Sequence, residues 1–451
     1  MRDVRSRVRG ILRMDFAQHH VDWRALFAQR GFPFLFAAMA ISLFGTGMNY
    51  SGVTWYILEQ TNSTVNVGLM VILLTLPGLV VPPFGGVLID RVDRRYLGMT
   101  LDVVRALIVG GTAALLYSGV GQLWHVYLMV TLLGAGFAIY WSTIHALTQE
   151  VVQPAQMVGA NSAVLIAVQG GMMTAGAVVG FVYARIGVTG ILGIDALTYV
   201  ASAVCLLQLR RGYRAPHHLV PEAGVHETLP TELTEEAGLP IVEPEVPAGF
   251  LVDFREGLRY LRGQPQVFAL GLTYACMIAG VISANVLVVV LARDVLQAGP
   301  EGYGWMQAGW ALGAIVGGFS TGLMARKFHP MGVLVTALAT LAIGHTLYPY
   351  VRYLALAVAM HVVFGGCRAL GGVLTQSSIM TTVPRRLMGR TQSAFSVMAT
   401  LLQVAMSFSL GWLAQNVNLP VAFLTLGLLY AGATLAALRA RSMAAITPSA
   451  T

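Results

Sequence analysis

The residues with chemistry to offer in this chain are charges set among long apolar runs. Asp90, Arg91, Arg94 and Arg95 crowd the short segment Gly86-Val87-Leu88-Ile89-Asp90-Arg91-Val92-Asp93-Arg94-Arg95, where one apolar stretch ends and the next begins. Asp102 and Arg105 follow three residues apart inside the next run, so both fall on one face of a helix. Asp195 stands alone in a later run, and Arg368 stands alone in another. A charge inside a bilayer must pair, face water or bind a ligand. A carboxylate there can also take up a proton, because burial disfavours its charged form. This is the chemistry of moving protons and solutes. Walker-type glycine loops and HExxH are absent from the sequence, which points away from catalysis.

The apolar runs decide the class. Of 451 residues, 56% are hydrophobic and only 11% charged, against roughly a quarter charged in soluble domains. A helix needs about 20 apolar residues to cross a bilayer. Twelve such spans are expected, near 32–57, 66–90, 96–119, 122–148, 157–184, 188–209, 266–292, 303–325, 330–350, 353–380, 391–416 and 419–440. The net charge of +8 comes almost wholly from Arg, with Lys327 the only lysine. With the N-terminus inside, cytoplasmic segments hold 23 of the 28 Lys and Arg. The positive-inside rule then sets both termini in the cytoplasm and explains the basic balance without nucleic acid. Cys205, Cys276 and Cys367 lie far apart in apolar runs and suggest neither a metal site nor a disulfide framework.

The expected organisation is a basic arm over 1–31, six helices over 32–210, a cytoplasmic linker over 211–265, six helices over 266–441 and a tail over 442–451. The linker is rich in Pro and Glu up to residue 250, a composition that favours disorder. Phe254, Leu258 and Leu261 then lie at helical spacing, giving an amphipathic helix over 250–264. The halves also resemble each other. Asn161-Ser162-Ala163 to Gly180-Phe181 aligns with Gln392-Ser393-Ala394 to Gly411-Trp412, and Gly86 to Arg91 aligns with Gly322 to Lys327 at a similar offset. Parallel repeats of this kind place a substrate site between the halves, near the midplane.

The 86–95 segment resembles the loop between helices 2 and 3 of the major facilitator superfamily, with Asp93 where glycine is usual. Its Asp-Arg-x-Asp-Arg-Arg form is similar to the branch that contains macrolide-efflux proteins and the enterobactin exporter. Asp102-x-x-Arg105-Ala106, Asp195-Ala196-Leu197-Thr198-Tyr199 and Gly389-Arg390 extend the likeness, which runs from about residue 33 to 440. In that branch an acid is frequent in span 1, where this chain has Gly45-Thr46-Gly47-Met48. The resemblance implies an all-α membrane protein of twelve transmembrane helices in two pseudo-symmetric six-helix bundles. It implies a conformational latch of Gly86, Asp90, Arg91, Arg94, Arg95, Asp102 and Arg105. Spans 1, 4, 7 and 10 are then the cavity walls, with Asn49, Tyr50, Trp141, His145, Tyr274, Asn285, His361, Arg368, Gln376 and, from span 11, Gln403 as substrate contacts. Asp90, Asp102, Glu150 and Asp195 are the candidates for proton coupling.

The expected function is proton-coupled export of an apolar or amphipathic small molecule by a monomer in the inner membrane of a prokaryote, with no cofactor, no metal and no nucleic acid. One alternative is a transporter of an anionic solute such as a siderophore or lysolipid, read by Arg368. Another is a non-transporting sensor or scaffold, whose working parts would be the arm and the linker.

Overall fold

A computed structural model of the protein describes residues 23–29, 31–81, 92–153, 156–209, 249–384 and 387–446. Every regular element among them is helical. A short α1 (Trp23–Phe27) leads into α2 (Phe32–Thr61), which ends where Asn62 adopts the left-handed conformation at φ 49°. Ser63 then caps α3 (Thr64–Thr75), its hydroxyl accepting from Asn66 N. A single turn, α4 (Pro77–Val80), continues α3. Asp93 caps α5 (Arg94–Tyr117) and is followed by α6 (Leu123–Val151). Carboxylate and hydroxyl caps of this kind satisfy the orphan N–H groups of a first turn.

The next helical run, α7 (Met157–Leu207), is about twice the length a bilayer requires. Gly187 divides it. Its φ of 62° and ψ of −172° are open to glycine and to almost no other residue, so 157–186 and 188–207 are separate arms. The separate spans expected over 157–184 and 188–209 meet at this bend without an intervening loop.

Beyond the linker, α8 (Gly249–Gly263) precedes α9 (Pro265–Val290), whose end widens into a π-helical turn over Leu291–Val295. Then follow α10 (Gly299–Lys327), α11 (Pro330–Leu347) with a 3₁₀ turn over Tyr348–Tyr350, α12 (Leu354–Thr382), α13 (Met388–Asn416) and α14 (Leu419–Ile446). Proline in the first turn starts α9, α10 and α11, where its missing N–H costs nothing. Among the described residues, nine helices are long and apolar enough to span a membrane. Residues 82–91, which carry most of the expected second span's end and the loop after it, lie outside the described residues, as do 1–22.

The packing repeats. In the first half α2 packs on α7, α5 packs on the second arm of α7, and α3 packs on α6. In the second half α9 packs on α13 and α14, α11 on α14, and α10 on α12. The two sets therefore share one pairing scheme. They join through α7 with α10 and through α3 with α13, an exchange that a two-fold axis along the bundle would produce. The amphipathic α8 lies across α13, with Glu256 paired to Arg390 at 2.9 Å. Large apolar side chains such as Leu107, Phe319 and Leu428 point outward from the bundle. In water such a surface would drive aggregation; in lipid it is the ordinary exterior of a helical membrane protein.

Candidate functional site: a central cavity and the charges behind it

A cavity of about 610 Å³ lies between the two sets of helices. Its first wall comes from α2 (Thr46, Asn49, Tyr50, Ser51), α3 (Met70, Leu74, Thr75), α6 (Phe137, Trp141) and α7 (Met172, Tyr199). Its second wall comes from α9 (Val281, Asn285, Val288), α10 (Gln307, Trp310), α11 (His345), α12 (His361, Phe364, Arg368) and α13 (Thr400, Gln403). An apolar, aromatic lining with a few fixed polar groups suits a small-molecule site.

Of the expected contacts, Asn49, Tyr50, Trp141, Asn285, His361, Arg368 and Gln403 border this cavity. His145, Tyr274 and Gln376 do not. His145 lies one layer back, edge-on to Trp141 at 4.6 Å between ring centres. Tyr274 packs its ring toward Phe395 at 6.3 Å and lies in the electrostatic reach of Arg368. The walls expected from spans 1, 4, 7 and 10 do not include α3 and α10, which also line the cavity. Thr75 and Gln307 are polar residues inside apolar runs, the same signal that selected Asn49, and would have found both helices.

Within the second wall, His361 Nδ1 is hydrogen-bonded to the buried Tyr348 hydroxyl, which also donates to Ala357 O at 3.1 Å. His345 Nδ1 contacts Leu341 O at 2.8 Å, and its ring stacks on Phe364 at 4.3 Å. Gln403 donates across the interface to Thr75 Oγ1 at 2.5 Å. Asn285 donates back to Val281 O at 3.1 Å, within its own helix.

Behind the first wall runs a buried polar network. Arg105, 2% exposed, pairs with Asp102, 0% exposed. Asp102 also accepts from Ser202 Oγ at 2.7 Å. The Arg105 guanidinium is sandwiched by Tyr140 and Tyr199, at 4.0 and 4.5 Å from their ring centres. Cation–π contacts of this kind strengthen as water is removed. Tyr199 shares a 3.0 Å hydrogen bond with Thr46 on the cavity wall.

Asp195 is fully buried, and among the described residues it has no ion-pair partner within 4 Å. It accepts from Asn49 Nδ2 at 2.8 Å, and Thr198 Oγ1 lies 3.4 Å from its other oxygen. Its Oδ1 sits where a side chain at Gly45 would have to go. The carboxylate that the family likeness leads one to expect on the first span is thus delivered to that place from the second arm of α7.

Of the expected latch, Gly86, Asp90 and Arg91 lie outside the described residues. Arg94 forms an ion pair with Glu150 at the end of α6, at 2.5 Å. Arg95 donates to the backbone carbonyls of Leu206 and Leu207, at 2.9 and 2.6 Å. These arginines therefore tie the start of α5 to the ends of α6 and α7.

One end of the assembly is sealed. The end of α2 at Asn62 defines a distal face, opposite the face that carries the described chain ends. There Arg293 donates to Leu58 O at 2.8 Å and Asn62 Oδ1 at 3.0 Å. Gln415 Oε1 accepts from Ser63 Oγ at 2.6 Å and Val65 N at 3.1 Å. Trp55 packs on Tyr303, with ring centres 6.0 Å apart. The α7 and α10 backbones touch at Gly180 and Gly304, where a Cβ on either would strike the other chain.

Comparison with known proteins decides the family. Residues 35–404 match the model of the Major Facilitator Superfamily. The chain belongs to that superfamily. It is a multi-pass membrane transporter with the superfamily's all-helical fold. It is 24% identical over 406 residues to the multidrug efflux pump Tap of Mycolicibacterium fortuitum, covering 87% of this chain and 91% of that one. It is 21% identical over 303 residues to macrolide efflux protein A of Streptococcus pyogenes, covering 67% and 68%. The fold superposes on a crystal structure of the nucleoside transporter NupG with a TM-score of 0.66, covering 91% of this chain and 99% of that one at 14% identity.

Proposed function

We propose that the protein is a secondary active exporter of apolar or amphipathic small molecules, driven by proton entry. The observation that carries this reading is the cavity itself. It is large, mostly aromatic and apolar, and lies between two sets of helices that share one pairing scheme. The efflux functions named for Tap and macrolide efflux protein A support export rather than uptake.

On this reading the chain crosses the bilayer twelve times. The bend at Gly187 makes α7 two crossings, and α3 with α4 and then α10 supply the second and eighth. The termini are cytoplasmic by the distribution of arginine, which makes the distal seam the outer gate. The structure is then the inward-facing state, and rocking the halves about the cavity exposes it alternately to either side.

Asp195 is the proton carrier in this scheme. Asp102 already has Arg105, and Glu150 has Arg94. Asp195 has only neutral hydrogen-bond partners, one of which, Asn49, is on the cavity wall. Proton uptake at Asp195 would weaken its bond from Asn49, by removing the acceptor's charge, and so alter the substrate surface.

The test uses everted membrane vesicles energised to acidify their interior, with Hoechst 33342 as the apolar probe. Dye accumulation above that of vesicles lacking the protein, abolished by nigericin, is the expected result. Accumulation no greater than in the control vesicles for Hoechst 33342, erythromycin, ethidium and the amphipathic acid 1-naphthoate alike would overturn the reading.

A further inference from the structure

Among the described residues that line the cavity, Arg368 is the only Asp, Glu, Lys or Arg. Its Nε is buried and has no hydrogen-bond partner. Its electrostatic neighbours are the neutral phenols Tyr274 and Tyr430, and among the described residues no carboxylate lies within ion-pair range. The guanidinium lies along its own helix against Gly372, one turn on, where any side chain would collide with Nη1. Across the cavity a second donor is idle: the Tyr50 hydroxyl is buried and has no partner.

A desolvated arginine without an anion is costly, because the charge loses its hydration and gains nothing. An arginine has donors and no acceptors, and a carboxylate has acceptors and no donors. We propose that the cavity binds molecules carrying one oxyanion on an apolar or aromatic body, with the oxyanion on Arg368. Phe364, Trp310, Trp141 and Phe137 receive the body. This deepens the export reading by naming the substrate class and rests on the same cavity. It separates amphipathic acids from the neutral and cationic compounds that an apolar chamber alone would accept.

The experiment measures binding to purified protein in a neutral detergent, where transport plays no part. Trp141 and Trp310 are cavity residues and supply a fluorescence signal. The probes are 1-naphthoate and its neutral counterpart 1-naphthamide. Charge-assisted hydrogen bonds make a preference of at least about tenfold for 1-naphthoate the expected result. Arg368→Gln should remove that preference while changing 1-naphthamide binding less than about threefold, and Arg368→Lys should keep part of it because the charge remains.

Equal binding of the two probes by the unaltered protein would overturn the proposal, as would a preference that survives Arg368→Gln. If Arg368→Gln does not fold, the unaltered protein and Arg368→Lys still decide. A preference that Arg368→Lys leaves wholly unchanged would then overturn the site, whereas one reduced or lost supports it, since lysine lacks the planar guanidinium. Repeating the assay in nanodiscs with and without phosphatidylglycerol identifies the source of the anion. Competition by that lipid assigns the oxyanion to a headgroup, and its absence assigns it to a free solute. A charge preference in binding with no export in vesicles of the dyes or of 1-naphthoate would sink the export reading and leave this site standing.

Discussion

At the residue scale, two buried carboxylates on neighbouring helices are held in different ways. Asp102 is neutralised by Arg105, which is itself stacked between Tyr140 and Tyr199. Removing the cation from such a pair strands the anion. Arg105→Leu should therefore lower the stability of the purified protein by an amount on the order of 3 kcal/mol. Asp102→Asn together with Arg105→Leu should recover part of it, since no charge is then stranded. Thermal unfolding in detergent checks both, and equal midpoints for all three proteins would refute the structural role. Asp195 has only Asn49 and Thr198 as close partners. Asp195→Asn copies the protonated acid and keeps a group that can bond Asn49. It should abolish accumulation driven by a pH gradient while leaving dye exchange across the membrane at equal pH. Gradient-driven accumulation at the unaltered rate would exclude Asp195 as the carrier.

At the element scale, the helices were legible in the sequence because a bilayer imposes a length and an apolar composition that few other structures need. The start of α5 at Arg94 follows a capping Asp93, and α8 follows the spacing of Phe254, Leu258 and Leu261. What resisted reading was anything set by the approach of one helix to another. Arg94 pairs with Glu150, 56 residues on in sequence. The span-1 stretch Gly45-Thr46-Gly47-Met48 carries no acid, yet Thr198 Oγ1 and Asp195 Oδ1 from another helix fill the space beside Gly45. Thr75 and Gln307 face the cavity because α3 and α10 flank the interface, and a one-dimensional pattern carries no such information. The contact between Gly180 and Gly304 is of the same kind. It depends on two backbones in touch, an arrangement that small residues permit in membranes. Gly304→Leu should wedge α7 from α10 at the distal seam. In a protein freed of Cys205, Cys276 and Cys367, a cysteine placed at Ser51 should then react faster with a membrane-impermeant maleimide applied from the distal side. An unchanged rate would show that the seam does not depend on this contact.

At the scale of the whole molecule, the seam and the cavity make opposite demands on the same two sets of helices. Export requires the cavity to open on the distal side, so every cross-contact there must break in each cycle. Their chemistry is compatible with that. Arg293 holds Leu58 O and Asn62 Oδ1, and Gln415 holds Ser63 and Val65 N, by a handful of polar contacts at a wet face. Such bonds exchange readily with water, at a net worth of about 1 kcal/mol each. The shared pairing scheme means that the two sets can move as bodies while their internal helix contacts persist. This gives a test of alternating access that is independent of substrate and coupling ion. Ser63 and Gln415 approach within hydrogen-bonding range across the seam, so Ser63→Cys with Gln415→Cys, in the protein freed of its native cysteines, should oxidise to a disulfide. Cross-linked protein should still bind ligand in the cavity, because the distal end is already closed in this structure. It should not transport, and reduction by dithiothreitol should restore transport to the level of the uncross-linked variant. Full transport by fully cross-linked protein would mean that the distal seam never opens, and the rocking of the two halves would have to be abandoned.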